Sequence, residues 1–307
     1  MVERFEGVID FLLGVLMVLI GLLPEVLAEP FEYQFMQRAL LTSIVVGLVC
    51  GVLSCFVVLK RWALLGDAIS HAVLPGVAIA YLLGWPFFIG AFIAGALTSL
   101  GIGFIERTTR LKSDTAIGIM FTAAFALGVV IIGQIATSTH LMHVLFGNVL
   151  GVDRAALLLT LVAGAVALLT VALGYKALFA YTFDEVHAQA LGLNTAAIHY
   201  GLILLLTLTI VASLETVGII LVVAMLIIPG ATAYLLSDRL ARMIVWSAMC
   251  GVTATVSGLY LAYYFDLASG GAMVLVAAAL FLLAFLLAPR HGLLAQLWQR
   301  RRAVEGG

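Results

Sequence analysis

Long apolar runs separated by short polar stretches fill almost the whole chain, and they constrain its fold more than any other feature. A helix that crosses a bilayer needs about 20 mostly apolar residues. About ten such runs follow one another between Val8 and Ala288. Hydrophobic residues make up 64% of the 307 residues and charged residues only 10%, whereas a soluble domain has about 25% charged residues. We therefore predict an all-α polytopic membrane protein with about ten transmembrane helices, within a range of eight to ten.

The predicted spans form one transmembrane domain, residues 1–307. Residues 1–30 are an N-terminal extra helix, which crosses the membrane or lies along its surface because Asp10 and Pro24 interrupt its apolar run, Val8–Leu27. Residues 175–199 are the longest polar interruption, and residues 290–307 are a tail that contains several arginines. The other predicted spans are Met36–Leu59, Asp67–Gly84, Phe87–Ile105, Thr115–Ile135, Val144–Gly174, Tyr200–Leu214, Val217–Leu236, Met243–Phe265 and Met273–Ala288.

Lysine and arginine residues set the predicted orientation, because short loops rich in them stay in the cytoplasm. If all ten runs cross, every basic loop falls on the same side of the membrane. Both chain ends and the 175–199 loop are then cytoplasmic. The basic segments lie at Lys60–Arg61, Arg107–Lys112, Lys176, Arg239–Arg242 and Arg290–Arg302.

A carboxylate and an imidazole lie inside the third run, in the string from Gly66 to Gly76. Asp67 and His71 are four residues apart, which places them on one face of a helix. Pro75 has no N–H to donate to the carbonyl of His71. Ionisable groups within membrane spans are costly and mark ion pathways, and this pair suits manganese, iron or zinc. We predict that it lines a metal route; the alternative is a helix cap followed by a buried histidine with an ordinary partner.

Three more ionisable residues lie in segments predicted to be external. Glu215 separates two apolar runs, where it would serve as an external gate that attracts cations, or as an ordinary surface carboxylate. His140 and His143 are three residues apart and would share a metal ion if that loop were helical. Otherwise they belong to a solvated loop.

The 175–199 interruption contains a predicted short helix. Thr182 and Glu185 have the spacing of a capping box, and Gly192 is a natural residue just beyond the helix end. The apolar side of this helix consists of Phe183, Val186, Ala190 and Leu191, and its polar residues are Asp184, Glu185, His187 and Gln189. Isolated helices shorter than about 12 residues are marginal in water, so this one needs a surface on which to dock. No Lys or Arg lies between Thr182 and Tyr200, which disfavours the alternative of a helix lying on lipid.

Several strings of this sequence resemble the membrane permease subunit of ABC importers for divalent metals. The most specific string is Gly66–Gly76, and Phe35–Leu40 and Val57–Arg61 precede it. The resemblance extends from about Phe35 to Ala288. It includes Leu145–Leu150, Ala190–Gly192 and Val222–Ala233.

This resemblance implies a type II ABC importer-like fold, similar to that of the vitamin B12 and iron-siderophore importers. It implies a homodimer in the cytoplasmic membrane of a prokaryote, a cytosolic ATPase subunit and an external metal-binding protein. The cargo would be manganese, zinc or iron(II), with no permanently bound cofactor. Manganese is the first choice, because His143–Asn148 resembles the manganese- and iron-type members. The resemblance places the ATPase contact in the loop that contains Phe183, Asp184, Glu185, Val186, Ala190, Leu191 and Gly192.

Other functions find less support in the residues. The sequence contains no phosphate-binding Gly-x-x-x-x-Gly-Lys-Ser/Thr string, so we expect a transport subunit that does not itself hydrolyse ATP. It has no basic stripe that would bind nucleic acid. The alternatives are a siderophore- or cobalamin-type ABC permease and an intramembrane metalloenzyme. The second would need more ligands beside Asp67 and His71.

Overall fold

The computed structural model describes residues 2–22, 24–134, 149–288 and 292–293. Within these ranges the chain forms helices joined by short turns and contains no strand. Nine helices there are long and apolar enough to cross a membrane. The predicted all-α polytopic fold is confirmed, with a helix number inside the predicted range. The nine spans are Gln34–Leu59, Ala63–Leu83, Phe87–Thr108, Ser113–Gly133, Arg154–Phe183, Thr195–Val217, Ile219–Leu236, Leu240–Phe265 and Ser269–Leu287.

We number the α-helices in chain order. They are α1 (Val2–Ile20), α2 (Glu25–Ala28), α3 (Gln34–Leu59), α4 (Ala63–Ala72), α5 (Leu74–Leu83), α6 (Phe87–Thr108), α7 (Ser113–Gly133), α8 (Arg154–Phe183), α9 (Glu185–Ala190), α10 (Thr195–Val217), α11 (Ile219–Met225), α12 (Ile228–Leu236), α13 (Leu240–Phe265) and α14 (Ser269–Leu287). Short 3₁₀ turns occupy Glu29–Glu32 and Val149–Gly151.

Proline divides two of the nine spans into pairs of shorter helices. Pro75 is the second residue of α5, and Pro229 is the second residue of α12. A proline ring has no N–H and collides with the carbonyl four residues earlier, so α4 ends at Ala72 and α11 at Met225. Met225 precedes Pro229 by four residues, a spacing that predicts such a kink, and the break at Met225 confirms it.

The first apolar run differs from the other predicted spans. Within α1 the apolar stretch is only Ile9–Val18, which at 1.5 Å per residue covers roughly half of a hydrocarbon core about 30 Å thick. Ile9 packs with Leu41 of α3 and with Val152 and Leu157 around the start of α8. With nine crossings, the residues before the first span and those after the last span lie on opposite sides of the membrane. If α1 also crossed, the ten crossings would put both ends on the same side. The orientation of the termini stays a prediction.

Two predicted boundaries are wrong. Helix α8 continues to Phe183, beyond the predicted end of its span at Gly174, so only residues 184–194 of the predicted 175–199 loop separate two spans. The break between α10 and α11 falls at Gly218 and not at Glu215. Gly218 has φ of 79°, a left-handed conformation that costs little for a residue without a Cβ atom.

Small residues bring α3 and α13 into contact at backbone distance. A Cβ atom added at Gly47 would lie 2.6 Å from Thr255 Oγ1 and 2.8 Å from the carbonyl oxygen of Gly251. One added at Gly51 would lie 2.8 Å from the carbonyl oxygen of Ser247. Two small residues spaced as Gly47-xxx-Gly51 predict close packing of membrane helices, and these distances confirm it.

Replacing Gly47 by alanine tests this contact. We expect Gly47→Ala to lower the melting temperature of the purified protein, because overpacking costs about 1–3 kcal/mol when neighbouring atoms are backbone. The matched control is Gly201→Ala on α10, where a Cβ atom meets nothing within 4 Å. Equal melting temperatures for the two variants would contradict the proposed role of Gly47.

Cysteine labelling tests the orientation. In a cysteine-free background, we expect a cysteine at Asp266, in the turn after α13, to react with an impermeant thiol reagent added to intact cells. A cysteine at Asp238, between α12 and α13, should react only after the cells are permeabilised, because positive residues flank it. The reverse pattern would invert the topology.

Candidate functional site

The two residues of the predicted metal route lie on α4, the first half of the broken span. Trp62 precedes this helix at its N-terminal cap position, and the backbone N–H of Leu65 donates to the Trp62 carbonyl at 2.9 Å. Asp67 and His71 follow one turn apart, with His71 just before the break that Pro75 imposes. The helical segment that carries both side chains therefore ends directly after His71, at Ala72.

Asp67 and His71 point to the same side of α4, as their spacing predicts. His71 Nε2 lies 3.5 Å from Asp67 Oδ1, and the side chains are 33% and 51% exposed, respectively. One metal ion lying about 2.1 Å from each atom would bind them at an angle of about 110°. The pair therefore has the separation of two ligands of a single ion.

Aromatic rings from α7 form one wall of this site. Ring centroids of Phe121 and Phe125 each lie 5.9 Å from that of His71, and Phe125 meets the imidazole edge to face. These rings exclude water from one side of the imidazole, while the half-exposed Asp67 leaves the other side open. Water-poor surroundings strengthen the attraction between a carboxylate and a cation.

A single chain supplies only part of a metal site. Within the described ranges, no group of three or more His, Cys, Asp or Glu residues could hold a metal ion. Transition metals in proteins bind about four to six ligands. Asp67 and His71 would therefore need further ligands from water, backbone oxygens or another chain.

The residues predicted to contact an ATPase surround the short helix α9. Phe183 is the last residue of α8, and Asp184 is the N-terminal cap of α9, where its side chain accepts from the N–H of His187 at 2.8 Å. The predicted cap, Thr182, is wrong, because α8 continues through that position. Asp184 is the first residue with an extended backbone, which a cap requires.

The end of α9 has the predicted glycine. Gly192 has φ of 79°, its N–H donates to the Gln189 carbonyl at 2.9 Å, and the N–H of Leu193 donates to the Ala188 carbonyl at 3.1 Å. These two bonds are those of a Schellman motif. The predicted role of Gly192 as the residue just past the helix is confirmed.

The described chain covers the apolar side chains around α9 only in part. Phe183, Val186 and Leu191 are 54%, 77% and 61% exposed. The face that α9 buries is formed instead by Ala188. A large exposed apolar patch on a short helix marks an interaction site.

Comparison with known proteins decides the family. Residues 32–288 match a family described as the ABC 3 transport family. The chain belongs to the ABC 3 transport family. The resemblance predicted from the Gly66–Gly76 string is confirmed, and α1 lies outside the matched residues.

Individual relatives agree with this assignment. The manganese transport system membrane protein MntC of Halalkalibacterium halodurans is 54% identical over 275 residues, which are 89% of this chain and 94% of that protein. The chelated iron transport system membrane protein YfeD of Yersinia pestis is 45% identical over 266 residues, 87% of this chain and 90% of that protein. A structure of PsaBC from Streptococcus pneumoniae in complex with Fab matches with a TM-score of 0.76 and 46% identity, covering 85% of this chain and 94% of that chain.

Of the residues predicted to form an external gate, the structure describes only Glu215. Glu215 lies on the last turn of α10, exposed and within electrostatic range of Asp153. His140 and His143 lie outside the described residues. The external gate predicted for these three residues stays a prediction.

A polar cavity at the predicted cytoplasmic end was not foreseen from the sequence. Its volume is about 450 Å³. An ion pair with 3.2 Å between Arg107 Nη1 and Glu185 Oε1 connects α6 with α9 at this cavity. Burial lowers the pKa of Lys60, an effect that the nearby carboxylates of Glu185 and Glu106 oppose. The remaining residues that line the cavity are Leu59, Arg61, Trp62, Tyr181, Thr182 and His199.

From its place in the polar 175–199 interruption, His199 is predicted to be an ordinary surface residue, and this prediction is wrong. Its side chain is only 3% exposed, and Nδ1 lies 2.6 Å from the hydroxyl oxygen of Tyr181. His199 and Tyr181 are on different spans, α10 and α8. That interruption suggests a surface position, and only the packing of three helices reveals the burial of His199.

Proposed function

We propose that this chain is the membrane permease subunit of an ABC importer that carries a divalent transition-metal cation across the cytoplasmic membrane of a prokaryote. The observation that carries the proposal is the 3.5 Å separation of His71 Nε2 and Asp67 Oδ1 on a span that proline breaks. A carboxylate and an imidazole at that distance suit a metal ion in transit. Two protein ligands hold it weakly enough to release it.

A second copy of the chain completes the proposed route. Asp67 is half exposed, although an exposed carboxylate facing lipid would be costly. Two copies related by a two-fold axis would bring two carboxylates and two imidazoles together, which gives four ligands. The homodimer thus removes the cost of exposure and supplies the missing coordination.

Manganese is the proposed cargo, followed by iron(II) and zinc. An oxygen and a nitrogen ligand suit all three metals, so the preference rests on relatives. A protein 54% identical is named for manganese and one 45% identical for chelated iron. Neither alternative, a siderophore- or cobalamin-type permease or an intramembrane metalloenzyme, has comparable support. The metalloenzyme would also need a larger cluster of metal ligands.

A separate cytosolic ATPase is the proposed energy source, and α9 is its proposed docking element. Beside α9 lies a groove of about 510 Å³ whose lining includes Phe183 of α8, Tyr234 of α12 and the turn from Ser237 to Arg239. An ATPase surface placed there would cover the exposed apolar side chains of α9. An external metal-binding protein would deliver the cation near Glu215.

Substitution of the two ligands tests the route. We expect Asp67→Asn and His71→Asn each to lower manganese uptake by more than about a hundredfold, because each replaces one of few metal ligands by a neutral amide, which binds a divalent cation more weakly. Uptake is measured with the full complex in proteoliposomes, with manganese, iron(II) and zinc offered in competition. The complex should still assemble.

The matched control is Asp114→Asn, which removes an exposed carboxylate from the first turn of α7 and should leave uptake unchanged. Normal uptake by both ligand variants would remove Asp67 and His71 from the route. Uptake of none of the three metals by the unmodified complex would refute the proposed function.

Substitutions in and after α9 test the docking proposal. We expect Ala190→Asp to weaken ATPase binding about tenfold or more, because a charge would be desolvated at an apolar contact. Gly192→Pro should act similarly, since proline cannot adopt φ of 79°. Association is measured by co-purification of the ATPase subunit.

Leu111→Asp is the control for this experiment, because Leu111 is also exposed but lies in the turn between α6 and α7. We expect it to leave association unchanged. If Ala190→Asp and Gly192→Pro retain full association and uptake, the docking element lies in Ser237–Arg242 instead.

A further inference from the structure

Buried aromatic side chains connect three helices at the predicted cytoplasmic end. Neither the proposed metal binding nor the proposed ATPase docking explains why they are there. Tyr181 of α8, His199 of α10 and Trp62 at the cap of α4 are each at most 3% exposed. The Tyr181 hydroxyl oxygen lies 2.6 Å from His199 Nδ1. The imidazole of His199 meets the indole of Trp62 edge to face, with ring centroids 5.3 Å apart.

Both ends of α9 are connected to this group. The N–H of Asp184, its cap, donates to the Ala180 carbonyl at 3.0 Å, so Tyr181 lies in the turn that leads into α9. At the other end, Gln189 Nε2 donates to Thr195 Oγ1 at 3.0 Å. Thr195 is one helical turn before His199. A displacement of α9 therefore acts on both partners of the Tyr181–His199 hydrogen bond.

The other side of the group is the turn between α3 and α4. Lys60 Nζ lies 3.8 Å from the centre of the Tyr181 ring, and Trp62 contacts His199. Between them, Arg61 has φ of 59°, a left-handed conformation that non-glycine residues seldom adopt. The contact of Lys60 with Tyr181 of α8 and the contact of Trp62 with His199 of α10 thus hold this turn in position. Because Trp62 caps α4, the position of the turn determines where α4 begins.

Packing alone does not explain a histidine at position 199. Its Nε2 atom is buried and has no hydrogen-bond partner among the residues the structure describes. A Cβ atom added at Gly103 of α6 would lie 3.0 Å from that Nε2, so the ring faces a glycine backbone. A buried polar atom without a partner destabilises the fold, and an apolar ring would avoid this cost. The hydrogen bond at Nδ1 fixes the orientation of the imidazole toward Trp62.

We propose that His199 is a positioning residue that transmits movement of α9 to α4, through Tyr181 on one side and Trp62 on the other. This inference rests on the proposed transport function, because it needs a partner that moves α9. Close-packed interiors contain few voids, so a displaced ring displaces its neighbours. Helix α4 bears the residues of the proposed metal route, and its displacement would open or close that route.

Removing one hydroxyl group tests the transmission without removing a ring. We expect Tyr181→Phe to lower the number of manganese ions taken up per ATP hydrolysed about fivefold to tenfold, the effect of one net hydrogen bond. Trp62→Leu should lower the same ratio, and Trp62→Phe, which retains an aromatic edge, should restore most of it. All variants are measured as the full complex in proteoliposomes, with ATPase co-purification recorded for each.

Tyr200→Phe is the matched control. The Tyr200 ring also contacts His199, with centroids 5.2 Å apart, but it connects neither to Tyr181 nor to Trp62, so the ratio should not change. An unchanged ratio in Tyr181→Phe overturns the inference, as does a proportional fall of uptake and hydrolysis, which indicates a structural role. Loss of ATPase association also overturns it, because the hydroxyl then acts in docking. Absence of uptake by the unmodified complex refutes the transport function itself.

Discussion

Asp67 and His71 place a carboxylate and an imidazole in an otherwise apolar bundle, where neither is stable unless another polar group or a cation satisfies it. Their 3.5 Å separation satisfies each of them only in part. The surrounding structure accommodates this cost: Pro75 ends the helix just beyond His71, and α7 covers one side of the imidazole with aromatic rings. The proposed route would thus be polar on one side and dry on the other, which suits a cation that must bind and leave.

The Gly66–Gly76 string, which contains Asp67 and His71, also contributes to the packing of α5 against α6. Gly76, which ends the string that begins at Gly66, lies directly against the backbone of Gly90 on α6, and a side chain at either position would collide with the other helix. Gly47 does the same for α3 and α13. In a bilayer, association of helices gains little from the hydrophobic effect, so backbone contacts between small residues contribute the packing energy. A break at Pro75 is tolerated because α5 is held by such a contact immediately afterwards.

The end of the bundle at α9 combines exposed and buried features that complement each other. The short helix leaves Val186 and Leu191 uncovered, while Gln189 and the residues before its cap join it to α8 and α10. A partner that covers the exposed side would therefore act on a segment connected to the interior. His199 lies where these connections approach α4, and it is buried because it packs against Trp62 and the backbone of Gly103.

The sequence by itself determined the all-α membrane class of the fold and a range for the number of spans. It also determined the common face of Asp67 and His71 and the positive φ of Gly192, because hydropathy, helical spacing and glycine conformation are properties of neighbouring residues. It did not determine that Asp184 would replace Thr182 as the cap, since that depends on how far α8 continues. Nor did it reveal the burial of His199, whose partners are distant along the chain. Only the tertiary structure decides such contacts, because they form where packing brings separate helices together.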